Sequence, residues 1–146
     1  KFRGVARFGP VRPSRCISRP DGKSMAKKLQ RYEKIVLSAA KQCGRGILPQ
    51  VSPLMSFDQA AQELARHETS IFCYEQGGDS LTSLVNPKTK DVGLLIGAEG
   101  GFDPAEAETL ARLGVPRAGL GKRILRCETA PIAALAAIML LTGNLE

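Results

Sequence analysis

Val92-Gly93-Leu94-Leu95-Ile96-Gly97-Ala98-Glu99-Gly100-Gly101-Phe102 passes from an apolar run straight into a glycine-rich turn. A run that short and that apolar predicts a strand buried on both faces, the kind found inside parallel sheets. Asp103, Pro104 and Glu106 then supply an N-cap, a first-turn proline and the acid of a capping box, so a helix begins at once and Gly114 ends it. Residues 117–120 predict the next strand, which runs into a second loop, Leu120-Gly121-Lys122-Arg123-Ile124-Leu125-Arg126-Cys127-Glu128-Thr129-Ala130. Thr129 is placed to cap a nearly all-apolar helix over residues 130–141, whose composition predicts burial on most sides. Upstream, Ser56 and Gln59 suggest a capping box opening a helix through Phe57, Ala60, Ala61 and Leu64. Residues 70–74 predict a short strand, and Gly77-Gly78 and residues 86–91 predict turns. Alternating strands and helices with short loops predict an α/β fold with a parallel sheet, read from pattern alone as open and doubly wound. Ligands of such sheets gather at the carboxyl ends of the strands, where both glycine loops fall.

Composition narrows the function classes. The chain has 146 residues, 43% hydrophobic and 24% charged, which is enough to bury a core and too apolar for a disordered chain. Cys16, Cys43, Cys73 and Cys127 form no C-x-x-C pair and His67 is the single imidazole, so neither a zinc site nor a disulfide scaffold is expected. Reduced thiols, no metal and a cytoplasmic setting fit that usage. The most apolar run, residues 130–141, is well short of the roughly 20 residues that cross a bilayer, and no membrane partner is expected. Residues 1–146 are taken as one domain. Lys1 opens what resembles the middle of a longer protein, with an N-terminal part expected ahead of it.

Charge is concentrated at the front. Residues 1–46 hold thirteen Lys and Arg against Asp21 and Glu33, while residues 47–104 hold three bases against eight acids. Such asymmetry suggests a polyanion partner for the first third. Over residues 24–43, Met25, Leu29, Tyr32, Val36, Ala39 and Cys43 recur at helical steps and predict an inward face, with Gly44 as the stop. Opposite them Lys27, Arg31, Lys34 and Lys41 form a basic stripe beside a single acid, Glu33. Surface helices usually intersperse acids for i,i+4 pairing, so this stripe suits phosphate contact as well as it suits solvation. Arg12, Arg15 and Arg19 precede it in a proline-rich loop or connector. With two Tyr, five Phe and no Trp, charge rather than base stacking would carry contact with RNA. Arg12, Arg15, Arg19, Lys27, Arg31, Lys34 and Arg123 are the candidate RNA-binding residues.

Neither glycine loop is a nucleotide signature. The first lacks the G-x-G-x-x-G order and a following acid for a ribose. The second has Pro116 where a phosphate loop needs its first glycine, and Arg123 where Ser or Thr would hold magnesium. One histidine, no G-x-S-x-G elbow and no H-E-x-x-H leave little material for nucleophilic or metal chemistry. A reaction that needs only positioning and charge stabilisation survives. Methyl transfer from a sulfonium donor is such a reaction, because its leaving group departs without a proton.

Leu95-Ile96-Gly97-Ala98-Glu99-Gly100-Gly101-Phe102 together with the loop from Leu120 to Ala130, which starts 18 residues after Phe102, resembles the SPOUT-class methyltransferases that methylate N3 of a uridine in small-subunit ribosomal RNA. Ala39-Ala40-Lys41-Gln42-Cys43-Gly44-Arg45 and residues 49–57 resemble the same family, so the likeness covers residues 4–143. It implies a mostly parallel sheet flanked by helices whose C-terminal segment is tied in a trefoil knot, against the general rarity of threaded chains. It also implies a homodimer with the last helix in the interface. The implied S-adenosylmethionine pocket draws Leu95, Ile96, Gly97, Glu99, Gly100 and Gly101 from one loop, and Leu120, Gly121, Ile124, Leu125, Arg126, Thr129 and Ala130 from the other, the glycines admitting close backbone approach. Two departures stand out. Ala98 replaces the proline usual in the family, which loosens the free loop, and the family's N-terminal RNA-binding barrel, similar to a PUA domain, has no counterpart here.

Within that resemblance Arg126 and Glu99 are the candidate catalytic residues. A guanidinium stays charged and presents planar donors, so Arg126 suits the negative charge that spreads over O2 and O4 when N3 of uridine loses its proton; a clamp on the cofactor carboxylate is its other reading. Glu99 suits orienting the base or taking its proton through water, or else holding the loop by hydrogen bonds to backbone N–H groups. Two further functions stay open: a non-catalytic RNA-binding module on the same fold, and a ribose 2′-O-methyltransferase. The latter should carry an Asn and Arg pair near the knot and a Ser-Leu-Asn run before the last helix, and neither is present.

Overall fold

The structure, a computed structural model, describes residues 4–14 and 22–145. They divide into two compact units, residues 5–56 and, with Gly4, residues 57–145. In the first, β1 (Arg7–Phe8) pairs with β3 (Gln50–Val51) and β2 (Val11–Arg12) pairs with β4 (Met55–Ser56), both parallel. Arg12, expected in a loop or connector, is therefore a half-buried strand residue. The helix α1 (Gly22–Gln42) leans on β1 through an edge-on contact of the Phe8 and Tyr32 rings, 6.3 Å between centroids. Met25, Leu29, Tyr32 and Val36 are half-buried as the spacing predicts, but Ala39 and Cys43 are exposed and Ala40 takes the buried place. The inward face advances by four residues after Val36, not three, which follows the 3.6-residue period. Gly44, at φ +67°, ends the helix as expected. Its N–H donates to the Lys41 carbonyl, and the Arg45 N–H donates to that of Ala40 at 2.9 Å, the bonding of a glycine-terminated helix.

Residues 57–145 carry α2 (Phe57–Leu64), β5 (Thr69–Cys73), β6 (Asp79–Ser80), α3 (Leu81–Leu84), β7 (Val92–Ile96), α4 (Pro104–Arg112), β8 (Arg117–Gly119) and α5 (Thr129–Leu141). The four strands form one parallel sheet in the order β6-β8-β5-β7. Side chains of β5 alternate between its faces. Phe72 joins a core with Phe57, Ala61, Leu64, Phe102 and Leu110 under α2 and α4. Ile71 and Cys73 join one with Leu81, Val85, Ala118, Ala134 and Ile138 under α3 and α5. Helices on both faces are what an all-parallel sheet requires.

Three expectations change. First, β7 lies at the sheet edge, so its side chains are only half-buried and Gly93 alone is buried; an aliphatic run does not distinguish edge from centre. Second, Thr129 does not cap α5. Glu128 holds the cap position in helical geometry with no side-chain cap bond, and Thr129 is already the first helical residue. Third, α5 buries one stripe, Ala130, Ala134 and Ile138, while Ile132 and Leu140 stay 70% and 64% exposed. By contrast, α4 opens as expected. The Asp103 carboxylate accepts the Ala105 N–H at 2.8 Å and the Glu106 carboxylate accepts the Asp103 N–H at 3.0 Å, which is why Glu106 can be buried.

Residues 74–78 connect β5 to β6 across β8, which lies between those two strands. The crossing is tight enough to explain a glycine. A β-carbon on Gly78 would stand 2.5 Å from the Arg117 carbonyl oxygen and 2.6 Å from its carbon. Above the same strand the Arg117 guanidinium lies 5.4 Å from the centre of the Tyr74 ring, within cation–π range.

Candidate functional site

The ends of β5, β7 and β8 meet at a cleft of about 570 Å³, in the size range of small-molecule sites. Each wall has a local cause. The loop after β7 folds back at Ala98, whose carbonyl accepts the Gly101 N–H at 2.9 Å, and Gly101 sits at φ +70°, which a glycine adopts without strain. Phe102 anchors that loop, its ring edge-on to Phe72 at 5.4 Å in the core. The loop after β8 ends on α5, where the Arg126 carbonyl accepts the N–H groups of Thr129 and Ala130, both at 2.9 Å. Gly100 and Gly121 line the cleft with open space where a β-carbon would be, so a ligand can reach their backbone.

Of the residues expected in the pocket, all but two line it. Leu95 points instead toward the core under α2 and α4, because β7 alternates faces and Leu95 shares that of Phe102. Thr129 is exposed on the first turn of α5 and is not a lining residue. Arg123, expected to contact RNA, lines the cleft. Glu99 does too, but it is exposed and no hydrogen bond to the loop backbone is seen among the described residues, so it does not brace that loop. The sequence reading missed Cys73, Tyr74, Glu75, Ala98, Cys127 and Glu128. Ala98, Cys127 and Glu128 lie within the quoted motifs. Cys73, Tyr74 and Glu75 carry no such signal, and only their position at the carboxyl end of β5, the third strand ending here, could have marked them.

Three carboxylates, Glu75, Glu99 and Glu128, face two guanidiniums, Arg123 and Arg126, around an apolar lining of Ile96, Leu120, Ile124 and Leu125. That donor set suits a ligand with a cationic part and a hydrophobic part. Burial pushes the Cys73 thiol up to about 11. Desolvation and the neighbouring Glu128 carboxylate, with a further push from Glu99, raise Cys127 as well. Both thiols stay protonated at neutral pH and are poor nucleophiles. Ligand atoms of Glu99, Cys127 and Glu128 lie within 4.8 Å of one another, but a metal would need the thiolate that those carboxylates disfavour.

A family model describing an RNA methyltransferase domain matches residues 3–139. The chain belongs to that family. Among its relatives is the ribosomal RNA small subunit methyltransferase E of Bacillus subtilis, 36% identical over an alignment of 142 residues, with 92% of this chain and 56% of the relative covered. The crystal structure of the enzyme of that name from Neisseria gonorrhoeae, bound to S-adenosylmethionine, is 37% identical with a TM-score of 0.84, covering 94% of this chain and 57% of that one. A Legionella pneumophila protein in complex with the same molecule gives 32% and 0.86, covering 93% and 55%. The chain therefore spans little more than half the length of the relatives it matches. In this methyltransferase domain Lys27, Arg31 and Lys34 are all exposed on α1, as the stripe predicted. Arg15 and Arg19 lie outside the described residues. No helix of the described residues is long and apolar enough to cross a membrane.

Proposed function

We propose that this RNA methyltransferase domain transfers a methyl group from S-adenosylmethionine to N3 of a uridine in small-subunit ribosomal RNA, working in the cytoplasm as a homodimer. One observation carries the reading: the two glycine loops meet in a single cleft, in a chain that is similar throughout to a relative crystallised with S-adenosylmethionine. The residues present fit that group. Gly100 and Gly121 leave room for close backbone approach, the aliphatic lining suits an adenosyl moiety, and the carboxylates suit a cation.

When bound, S-adenosylmethionine supplies an electrophilic methyl on a sulfonium sulfur. Arg126, on the cleft wall and fixed at the start of α5, offers its guanidinium to O2 and O4 of the uracil as N3 loses its proton. Glu99, exposed at the cleft and free of the loop backbone, takes that proton through water. The deprotonated N3 would then take the methyl as its bond to sulfur breaks, the bonding pair staying on sulfur and leaving a neutral thioether. The exposed stripe of Lys27, Arg31 and Lys34 holds phosphates, and Arg12, Arg15 and Arg19 add to it.

Exposed Ile132 and Leu140 on α5 support the homodimer, since a helix this apolar needs a cover that the described residues do not provide. The entry of β8 between β5 and β6 supports the knotted C-terminal segment. The test is calorimetric titration with S-adenosylmethionine, followed by mass analysis of small-subunit RNA after incubation with both. One donor bound per subunit and 3-methyluridine in the digest are expected. Absence of binding heat, or methylation at a ribose oxygen, would sink the proposal.

A further inference from the structure

We infer that Glu75 makes this cleft discriminate by charge, favouring the sulfonium-bearing methyl donor over the neutral thioether left by methyl transfer; the inference rests on the cofactor reading above. Glu75 follows β5 and lines the cleft between the two glycine loops. Its carboxylate fills the space that a β-carbon on Gly101 would need, so it lies against the loop backbone. The Gly101 N–H is already committed to the Ala98 carbonyl. Glu75 itself has no hydrogen bond or ion pair among the described residues, although it is half-buried. A partly desolvated carboxylate with no partner costs stability unless a ligand supplies one.

The chemistry of that ligand follows from the differences a carboxylate can sense. Donor and product share their adenine, ribose and amino-acid groups, and hydrogen bonds to those parts hold both alike. They differ by a methyl group and by one positive charge at sulfur. Arg123 and Arg126 line the same cleft and oppose a cation, so anionic side chains must offset them. Glu99 and Glu128 are exposed, where water and salt screen their charge. Glu75 is the lining carboxylate that the loop packs against, and its field is the least screened. Release of the spent product follows from the same term, because demethylation at sulfur removes the attraction. The glycine at 101 then has a second purpose: any side chain there would displace the carboxylate.

The experiment titrates the unaltered chain, Glu75→Gln, Glu75→Asp and Glu99→Gln with S-adenosylmethionine and, separately, with S-adenosylhomocysteine. Glu75→Gln keeps the shape and removes the charge. It should weaken donor binding by about five- to tenfold and leave product binding within about twofold, the size of one partly screened charge pair. Glu75→Asp retains the charge and should keep most of the preference, and Glu99→Gln should shift the ratio by less than about twofold. An equal loss for both ligands would make Glu75 a structural or hydrogen-bonding residue and overturn the inference, as would an unchanged ratio or an equal shift from Glu99→Gln. Failure of the unaltered chain to bind the donor would instead refute the cofactor reading itself and remove the basis for this one.

Discussion

Replacing Gly78 with alanine drives a methyl group into the backbone of β8. The added carbon would lie 2.5 Å from the Arg117 oxygen, 2.6 Å from its carbonyl carbon and 2.9 Å from its β-carbon, where non-bonded carbons prefer about 3.5–4.0 Å. The obstacle is main chain in the sheet interior, so no side chain can swing aside. Relief needs a displacement of roughly an ångström in the crossing or in β8, at a cost of about 1–3 kcal/mol or more. At this chain length that is a fall in melting temperature of about 3–10 °C. Two other glycines separate the causes. Gly77 is at φ +95° with nothing within 4 Å of a β-carbon, so alanine there should cost only the backbone strain, about 1–2 kcal/mol. Gly100 has neither a positive φ nor a close neighbour, and alanine there should leave stability within about 0.5 kcal/mol. Thermal unfolding of the three variants, followed by circular dichroism, gives the comparison. Because Tyr74 and Glu75 lie on the same crossing and line the cleft, Gly78→Ala should also weaken S-adenosylmethionine binding in calorimetry. A Gly78→Ala melting temperature within about 1 °C of the unaltered chain would refute the tight crossing and with it the placement of Glu75.

Arg126→Ala should lower the single-turnover methylation rate by roughly 10²-fold if the guanidinium meets the developing charge on uracil; an unchanged rate with weaker donor binding would assign it to the cofactor instead. Changing Lys27, Arg31 and Lys34 together to alanine removes exposed charge and no buried packing. Stability should hold, while the slope of log RNA affinity against log salt shallows by up to about three units, less for single-stranded RNA. The Cys73 thiol gives a pH signature. Its folded value is raised from 9.0 to about 11 by burial, so its contribution is complete below pH 9 and is lost as pH rises toward 11, when the unfolded chain ionises first. Denaturant titrations across that window should show a decline on the order of 2 kcal/mol that Cys73→Ala flattens.

The elements were legible where local chemistry sets them. Asp103, Pro104 and Glu106 announce α4, and the capping bonds of Asp103 and Glu106 form as the spacing requires. Gly44 ends α1 and Gly114 ends α4 in the left-handed region that their place after an apolar period implies. The pairing of strands was not legible, because periodicity records which side chains share a face and not which strand lies alongside. Nothing in Arg117-Ala118-Gly119 says that it enters between β5 and β6, or that Val92–Ile96 is left at the edge. The two-residue strands β1 to β4 are too short to show any alternation. Within the cleft, the motif residues on two loops were visible, but Glu75 looks like an acid in an ordinary turn until the structure sets it against Gly101.

The distribution of charge along the chain suits the proposed reaction, which has two ligands of opposite sign. A polyanionic RNA is attracted by bases and a sulfonium is attracted by acids, so one mixed surface would serve each poorly. The exposed stripe on α1 belongs to one compact unit, while Glu75, Glu99 and Glu128 belong to the other. Arg123 and Arg126 are the exception, since they stand beside those acids in the cleft. Their place there has a physical reason within the proposed reaction. N3 methylation of uridine passes through negative charge on the base, and a cleft tuned only for the cationic donor would oppose it. In the proposed reaction, two guanidiniums among three carboxylates would let the same cleft hold a cation at sulfur and stabilise an anion on the uracil.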